Sequence, residues 1–315
     1  MSLRKEFGPE ANLHVKIALA TCVSVSACST PNEASVRQND VNRVSLSERT
    51  TVQHLTTPTP IHRKSWEGQQ YEWGKDHIFV KLSSAETGGA LTLIQDNLKL
   101  GFNLGRHLHR KHSEIFYILD GEIDFLLGER PLTATAGSVV YVPEGTAHAA
   151  KSSKGGRMLM FYTPGGFDEM LTEIDNASWL QRVNPFVSAR RNAKYDIREV
   201  HDGERVNKIG PMPRYLAPKE GAKRSSGSTM KLSSSETKGL GVLTEQTLPR
   251  EGEYTPQLQS KQSEILYILV GDVEFAIDGR QISATAGSTI YFPPGTESLI
   301  KAVTNVKLLV FRTPG

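Results

Sequence analysis

Residues 113–121 read SEIFYILDG, and residues 263–271 read SEILYILVG. The offset is 150 residues, and it recurs outward in both directions. KLSSAET at Lys81 returns as KLSSSET at Lys231, and ATAGSVVYVPEGT at Ala134 returns as ATAGSTIYFPPGT at Ala284. FYTPG at Phe161 returns as FRTPG at Phe311. A fixed offset over four blocks marks a tandem duplication, over residues 65–166 and 215–315, with roughly fifty residues between them.

Each copy is written in short β-type runs. ALTLI, EIFYIL, EIDFLL, SVVYV and MLMFY are rich in β-branched, aromatic and other apolar residues, and Gly, Pro or polar clusters separate them. Many short strands at this spacing predict an all-β sandwich or barrel for each copy. The connecting segment 167–214 differs. Phe167, Met170, Leu171 and Ile174 fall at helical spacing, which predicts a short helix whose apolar face caps the first barrel.

The composition is that of a soluble globular chain, with 38% hydrophobic and 23% charged residues. Lys+Arg minus Asp+Glu is 37 − 34 = +3, too little to point to nucleic acid as a partner. The segment after Phe186 is locally basic (Arg190, Arg191, Lys194, Lys223, Arg224) and reads as a solvated connector. No run reaches the length of a membrane span. The two cysteines, Cys22 and Cys28, both precede the repeats, so a metal in the barrels must be held by His and carboxylate.

The first 28 residues carry Arg4, Lys5 and Lys16, then the apolar run IALATCVSVSA and Cys28. This order reads as an export signal. Val25-Ser26-Ala27-Cys28 resembles a bacterial lipobox, in which the cysteine is lipidated and becomes the mature N-terminus. The expectation is an exported, membrane-anchored lipoprotein, periplasmic or at the cell surface, or a cytoplasmic protein if the leader does not function, with a Ser/Thr/Pro/Asn-rich tether over 29–64. The lipid anchor would be the sole membrane contact.

Four of the nine histidines fall between 107 and 148. The first segment is Gly101-x5-His107-x-His109-x4-Glu114-x6-Gly121, and the second is Gly137-x5-Pro143-x-Gly145-x2-His148. His107 and His109, two apart on a strand, share a face. Glu114 opens the next strand and can face them, and the Pro-x-Gly turn can aim His148 at the same point. Three imidazoles and one carboxylate suit one divalent first-row metal, with one or two coordination positions open. His112 reads as a rim residue. The second copy serves as an internal control. It keeps Glu264, Gly271, Gly287, Pro293 and Gly295, but has Gln257, Gln259, Gln262 and Ser298 where the first has histidines. The fold therefore does not need those histidines, and the second barrel is expected to be metal-free.

Both segments resemble the signature motifs of the cupin superfamily, small jelly-roll barrels with a His3Glu metal site. The resemblance spans nearly all of 65–315 and implies two tandem cupin barrels packed about a pseudo-two-fold axis, as two protomers of a cupin dimer pack. With one intact site and a Thr-Pro-Gly-Gly-Phe helix after it, the chain looks most like the quercetin 2,3-dioxygenase-like cupins. That implies Fe, Mn, Ni, Co or Cu at His107, His109, Glu114 and His148, with Glu114 also serving as the catalytic base toward a flavonol or similar enolic substrate. Phe116, Ile118 and Phe125 would form an apolar wall of the substrate pocket, or plain barrel core. Two alternatives stand beside this reading. One is a non-catalytic exported binder of a metal and a small molecule. The other is another cupin enzyme such as an oxalate decarboxylase, whose ligands normally recur in both halves. A homo-oligomer is compatible with all three.

Overall fold

The computed structural model describes residues 59–314, apart from 202, 207–211, 225–226, 257, 259–260 and 278. The expected leader with Cys28, most of the expected tether, and Gln257 and Gln259 lie outside the described residues. Among the described residues no helix is long and apolar enough to cross a membrane.

Each copy folds as a β-barrel of antiparallel strands. In the first, the 15-residue strand Ser113–Leu127 runs through both walls of the barrel. Its first half pairs with Val139–Val142 and Gly156–Thr163, and its second half with Arg130–Thr135 and His148–Ser152. The bend between the halves falls at Gly121, whose φ is 79°. A Cβ there would lie 2.7 Å from the Gly155 carbonyl oxygen, so the close crossing of backbones excludes any larger residue. Gly271 holds the matching bend, with a would-be Cβ 2.4 Å from the Asn305 carbonyl oxygen.

The apolar runs lack clean alternation because these strands are buried on both faces. Phe116, Ile118, Phe125, Met158 and Met160 fill the first barrel, and Leu266, Ile268, Phe275, Phe292 and Val310 fill the second. The intervening residues Ile115, Tyr117, Tyr141, Leu159 and Phe161 pack against Ile265, Tyr267, Tyr291, Leu309 and Phe311, joining the barrels through one apolar layer. The contacts across this layer are reciprocal. The Tyr117 hydroxyl donates to Glu245 Oε1 at 2.8 Å, and the Tyr267 hydroxyl donates to Gln95 Oε1 at 2.9 Å. Phe161 and Phe311 are equivalent positions, and they meet each other with ring centroids 5.1 Å apart. Equivalent residues touch one another only at a two-fold axis, so the expected pseudo-symmetry holds at this layer.

Two boundaries need correction. The expected tether does not run to residue 64, because Ile61–Arg63 is a strand that pairs with Thr289–Phe292 of the second barrel. The 167–214 connector is more than a helical link. Its strand Ile197–Glu199 extends the histidine strand Phe102–His109, and Arg214–Leu216, at its end, pairs with Val139–Val142 of the first barrel. Each barrel therefore receives an edge strand from the segment preceding the other, which satisfies backbone groups that an open edge would leave unpaired. The exchanged N-terminal arm is held by Lys81, whose buried ammonium donates to the carbonyl oxygens of Lys64, Ser65 and Glu67.

The expected helix is Phe167–Asn176. Its Leu171 enters the first barrel's core and Phe167 packs against it, as a capping face should. Asp168 accepts hydrogen bonds from Thr92 Oγ1 at 2.6 Å and Ser84 N at 3.2 Å, which fixes the helix to the barrel. Two further short helices follow, Trp179–Val183 and Pro185–Lys194.

Candidate metal centre

Strand Phe102–His109 presents His107 and His109 to the interior of the first barrel. His148 opens the neighbouring strand and stands opposite His107 in the ladder. Glu114, second residue of Ser113–Leu127, stands opposite Tyr162 and Val142. The four side chains offer ligand atoms all within 4.8 Å of one another. Among the described residues this is the one such group of three or more His, Cys, Asp or Glu side chains.

The histidines are oriented by their own backbone. His107 Nδ1 lies 2.8 Å from the Gly105 carbonyl oxygen, and His148 Nδ1 lies 3.1 Å from that of Thr146. A protonated Nδ1 donating to a carbonyl leaves Nε2 with a free lone pair, the arrangement a metal ligand requires. His148 Nε2 approaches Glu114 Oε2 to 2.7 Å and His109 Nε2 approaches Oε1 to 3.5 Å. Neither approach is aligned as a hydrogen bond: His109 Nε2, His148 Nε2 and Glu114 Oε2 are buried without a hydrogen-bond partner. Orphaned buried polar atoms are expensive unless something binds them. A divalent cation fits this donor set and would satisfy all of them.

The electrostatics of His107 and Glu114 agree, while at His148 burial is outweighed by the facing Glu114 charge, which pushes the imidazole up. Burial, followed by neighbouring His148 and His109, pushes the His107 imidazole down to about 3, so it is neutral and able to ligate. Burial works against the Glu114 charge, but His109 and His148 outweigh it and hold the carboxyl well below the usual range. The site is closed to bulk water, with His107 only 8% exposed and Glu114 2%.

The residues expected as a pocket wall take different places. The Phe116 ring lies 6.2 Å from that of His148, and Phe125 lies behind it at 5.3 Å from Phe116. Both, with Ile118, belong to the fully buried barrel core. His112 sits beside the group, its ring 6.1 Å from that of His109 and its Nδ1 3.3 Å from Asp196 Oδ2. It is outside the set of four.

Tyr162 was missed from the sequence. Its ring stacks on Phe167 with centroids 4.3 Å apart and 4° between planes, and lies 6.1 Å from the His109 ring. Burial and then the Glu114 charge push its hydroxyl well above the usual range, so it stays protonated. One signal could have found it. Within the repeated FYTPG and FRTPG blocks, position 162 is where the copies differ, Tyr162 against Arg312.

In the second barrel Glu264 is completely buried, but its surroundings differ. Arg312 donates to Glu264 Oε2 from Nη2 at 2.7 Å and from Nε at 3.0 Å, and the Tyr254 hydroxyl donates to Oε1 at 2.7 Å. Ser298 Oγ instead lies 3.5 Å from the Ala276 carbonyl oxygen.

Comparison with known proteins agrees with this geometry. The cupin domain family model matches twice, over residues 97–163 and 244–311, one segment in each barrel. The chain is 22% identical over 260 residues to quercetin 2,3-dioxygenase of Bacillus subtilis, covering 75% of this chain and 77% of that protein. In fold it is similar to the Escherichia coli pirin YhhW in complex with nickel(II), with a TM-score of 0.55, 15% identity, and coverage of 81% of this chain and 99% of that one. It is similar also to a Lactobacillus farciminis oxalate decarboxylase–formate complex, with a TM-score of 0.56, 14% identity, and coverage of 81% and 86%. The cupin motif thus occurs in both halves, each on its own barrel, and the chain belongs to the cupin superfamily as a bicupin.

Proposed function

We propose that this protein is a metal-dependent dioxygenase acting on a flavonol or a similar enolic, aromatic substrate, with the first barrel as its active half. The observation that carries the reading is the buried group of three imidazoles and one carboxylate with orphaned ligand atoms. The similarity to a quercetin 2,3-dioxygenase supports this reaction over others open to the fold. A divalent first-row metal held by His107, His109, Glu114 and His148 would supply Lewis-acid polarisation of the substrate's enolic oxygen.

The chain's own residues supply the rest. Glu114, kept ionised by the imidazoles, is placed to take the proton of the substrate hydroxyl. Tyr162, kept protonated, offers a hydrogen-bond donor beside it. Phe116 and the stacked Tyr162–Phe167 pair give the site aromatic surfaces. The near-total burial of the ligands excludes bulk water, and it also means that a flavonol enters only when rim side chains move. Partly buried Phe167 and His112 are the rim residues beside His109.

The test is oxygen consumption by the metal-loaded full chain with quercetin, compared with its His107→Ala variant. Uptake of oxygen with loss of flavonol absorbance, absent in the variant, supports the reading. Flavonol binding without oxygen uptake would make the protein a metal-assisted binder. Carbon dioxide release from oxalate, without flavonol turnover, would move it to the decarboxylases.

A further inference from the structure

Residues 177–195 join the capping helix Phe167–Asn176 to the strand Ile197–Glu199 beside the histidine strand. Within them, Trp179, Leu180, Val183 and Phe186 are 72%, 68%, 57% and 85% exposed. All nine residues from Ser178 to Phe186 are exposed. Single exposed apolar side chains are ordinary, but four within eight positions form a patch.

The patch is held outward by polar bonds. Ser178 and Gln181 form a reciprocal capping box at the start of helix Trp179–Val183. Asn184 Oδ1 accepts from the backbone N–H groups of Phe186 and Val187 and caps helix Pro185–Lys194. Arg182 donates to the carbonyl oxygens of Ala177 and Asp175. A five-residue helix is too short to persist by propensity. Its capping and side-chain bonds fix a shape that buries none of its apolar side chains in the fold.

That shape is amphipathic. Trp179, Leu180 and Val183 fall at i, i+1 and i+4, within an arc of roughly 100°, and Gln181 and Arg182 take the other side. Ala177–Tyr195 contains Arg182, Arg190 and Lys194 at the surface, a buried Arg191, and no acidic residue. Arg182 and Lys194 also reach Asp175 and Glu173 on the preceding helix, while Arg190 is exposed. Trp, Leu and Phe backed by arginine and lysine match the interfacial layer of a bilayer, where aromatic rings sit at headgroup depth and cations meet lipid phosphates. We propose that the helical pair Trp179–Lys194 docks the protein on an anionic lipid surface, a membrane contact beyond the lipid anchor expected from the sequence. Trp179, Leu180, Val183 and Phe186 enter the boundary between headgroups and acyl chains, and Arg190 faces the phosphates.

The experiment uses the full chain carrying Cys28→Ser, so that no lipid can be attached there. It is sedimented with vesicles of equal parts phosphatidylcholine and phosphatidylglycerol, and with phosphatidylcholine alone. The expected result is binding to the anionic vesicles that weakens in high salt and drops about ten-fold or more in a Trp179→Ser/Phe186→Ser variant. Arg190→Glu should weaken binding to anionic vesicles and leave the phosphatidylcholine result unchanged. Because these side chains are exposed, the variants should melt with the parent, which excludes misfolding as the cause. No vesicle binding by the parent overturns the proposal. So does undiminished binding by the double variant, which assigns the membrane contact to another segment. A parent that is dimeric and ignores vesicles, with a monomeric double variant, also overturns it and makes the patch a contact between copies of this chain.

Discussion

Both barrels bury a glutamate at the start of the same strand, and they neutralise it differently. Around Glu264 the protein supplies its own cation, Arg312, with the Tyr254 hydroxyl on the other oxygen. Around Glu114 the equivalent positions are Tyr162 and Leu104, and the neighbours within reach are imidazoles. A buried carboxylate is tolerated only when paired. The second barrel therefore shows what the first lacks. In the second barrel an arginine supplies the charge beside this glutamate; in the first, tyrosine stands in its place, imidazoles gather, and a metal ion could add the charge. The second barrel is a self-sufficient version of the same site, closed by a guanidinium.

The comparison breaks most visibly in metal content. The full chain should hold roughly one divalent ion. His107→Ala should hold almost none while keeping its fold, and Glu264→Gln should match the parent, as read by elemental analysis after gel filtration. Metal lost from Glu264→Gln would make the two barrels equivalent after all. The next effect is on stability. Arg312→Ala strips the cation from a completely buried carboxylate and should lower the unfolding free energy by about 3 kcal/mol in a denaturant titration. Adding Glu264→Gln should restore most of that loss, because it removes the stranded charge. A loss below about 1 kcal/mol would place the pair among weak surface bridges and undo the argument.

The smallest effect sharpens a second difference. Asp96, inside the first barrel, has the neutral Gln246 as its counterpart. Asp96 lies diagonally across the ladder from Asp76, and each has a buried carboxylate oxygen without a hydrogen bond. Burial, partly offset by Lys99, pushes Asp76 up to about 7, and burial with the nearby Asp76 pushes Asp96 well above its ordinary value. Carboxyls raised on folding contribute stability that is full below the unfolded value near 4 and is lost as pH rises toward about 7. Asp96→Asn should therefore match the parent near pH 4 and gain on it by about 1–2 kcal/mol as pH rises above that. A constant difference across that range would show that the pair does not titrate there.

The duplication and the group of three histidines and one glutamate were legible because both are matters of spacing. A 150-residue offset and two histidines two apart survive any uncertainty about strand ends. The exchanged edge strands were not legible. Gly68 and Gly221 are equivalent turns, yet 221 − 68 = 153, three residues off the common offset, so the repeat fades where the arms begin. A three-residue strand such as Ile61–Arg63 also carries too little alternation to stand out from Ser/Thr-rich surroundings. Tyr162 was hidden by the opposite problem. In MLMFY an aromatic looks like barrel filling, and only its replacement by arginine in the other copy shows that it faces the site. Ile118 and Phe125 lie in the barrel core, the second of the two places expected for them, while Phe116 also neighbours His148.

The exchange of edge strands has a consequence for the history of the chain. A single copy with this plan would complete its sheet only by borrowing a strand from another molecule, so its folded fraction would depend on dilution. Joining two copies end to end makes the lender permanent, at an effective concentration no free partner reaches. Once the loan is guaranteed by the peptide chain, the second copy must remain as scaffold but need not keep the same buried site. That leaves one site free to drift to arginine while the other keeps its histidines.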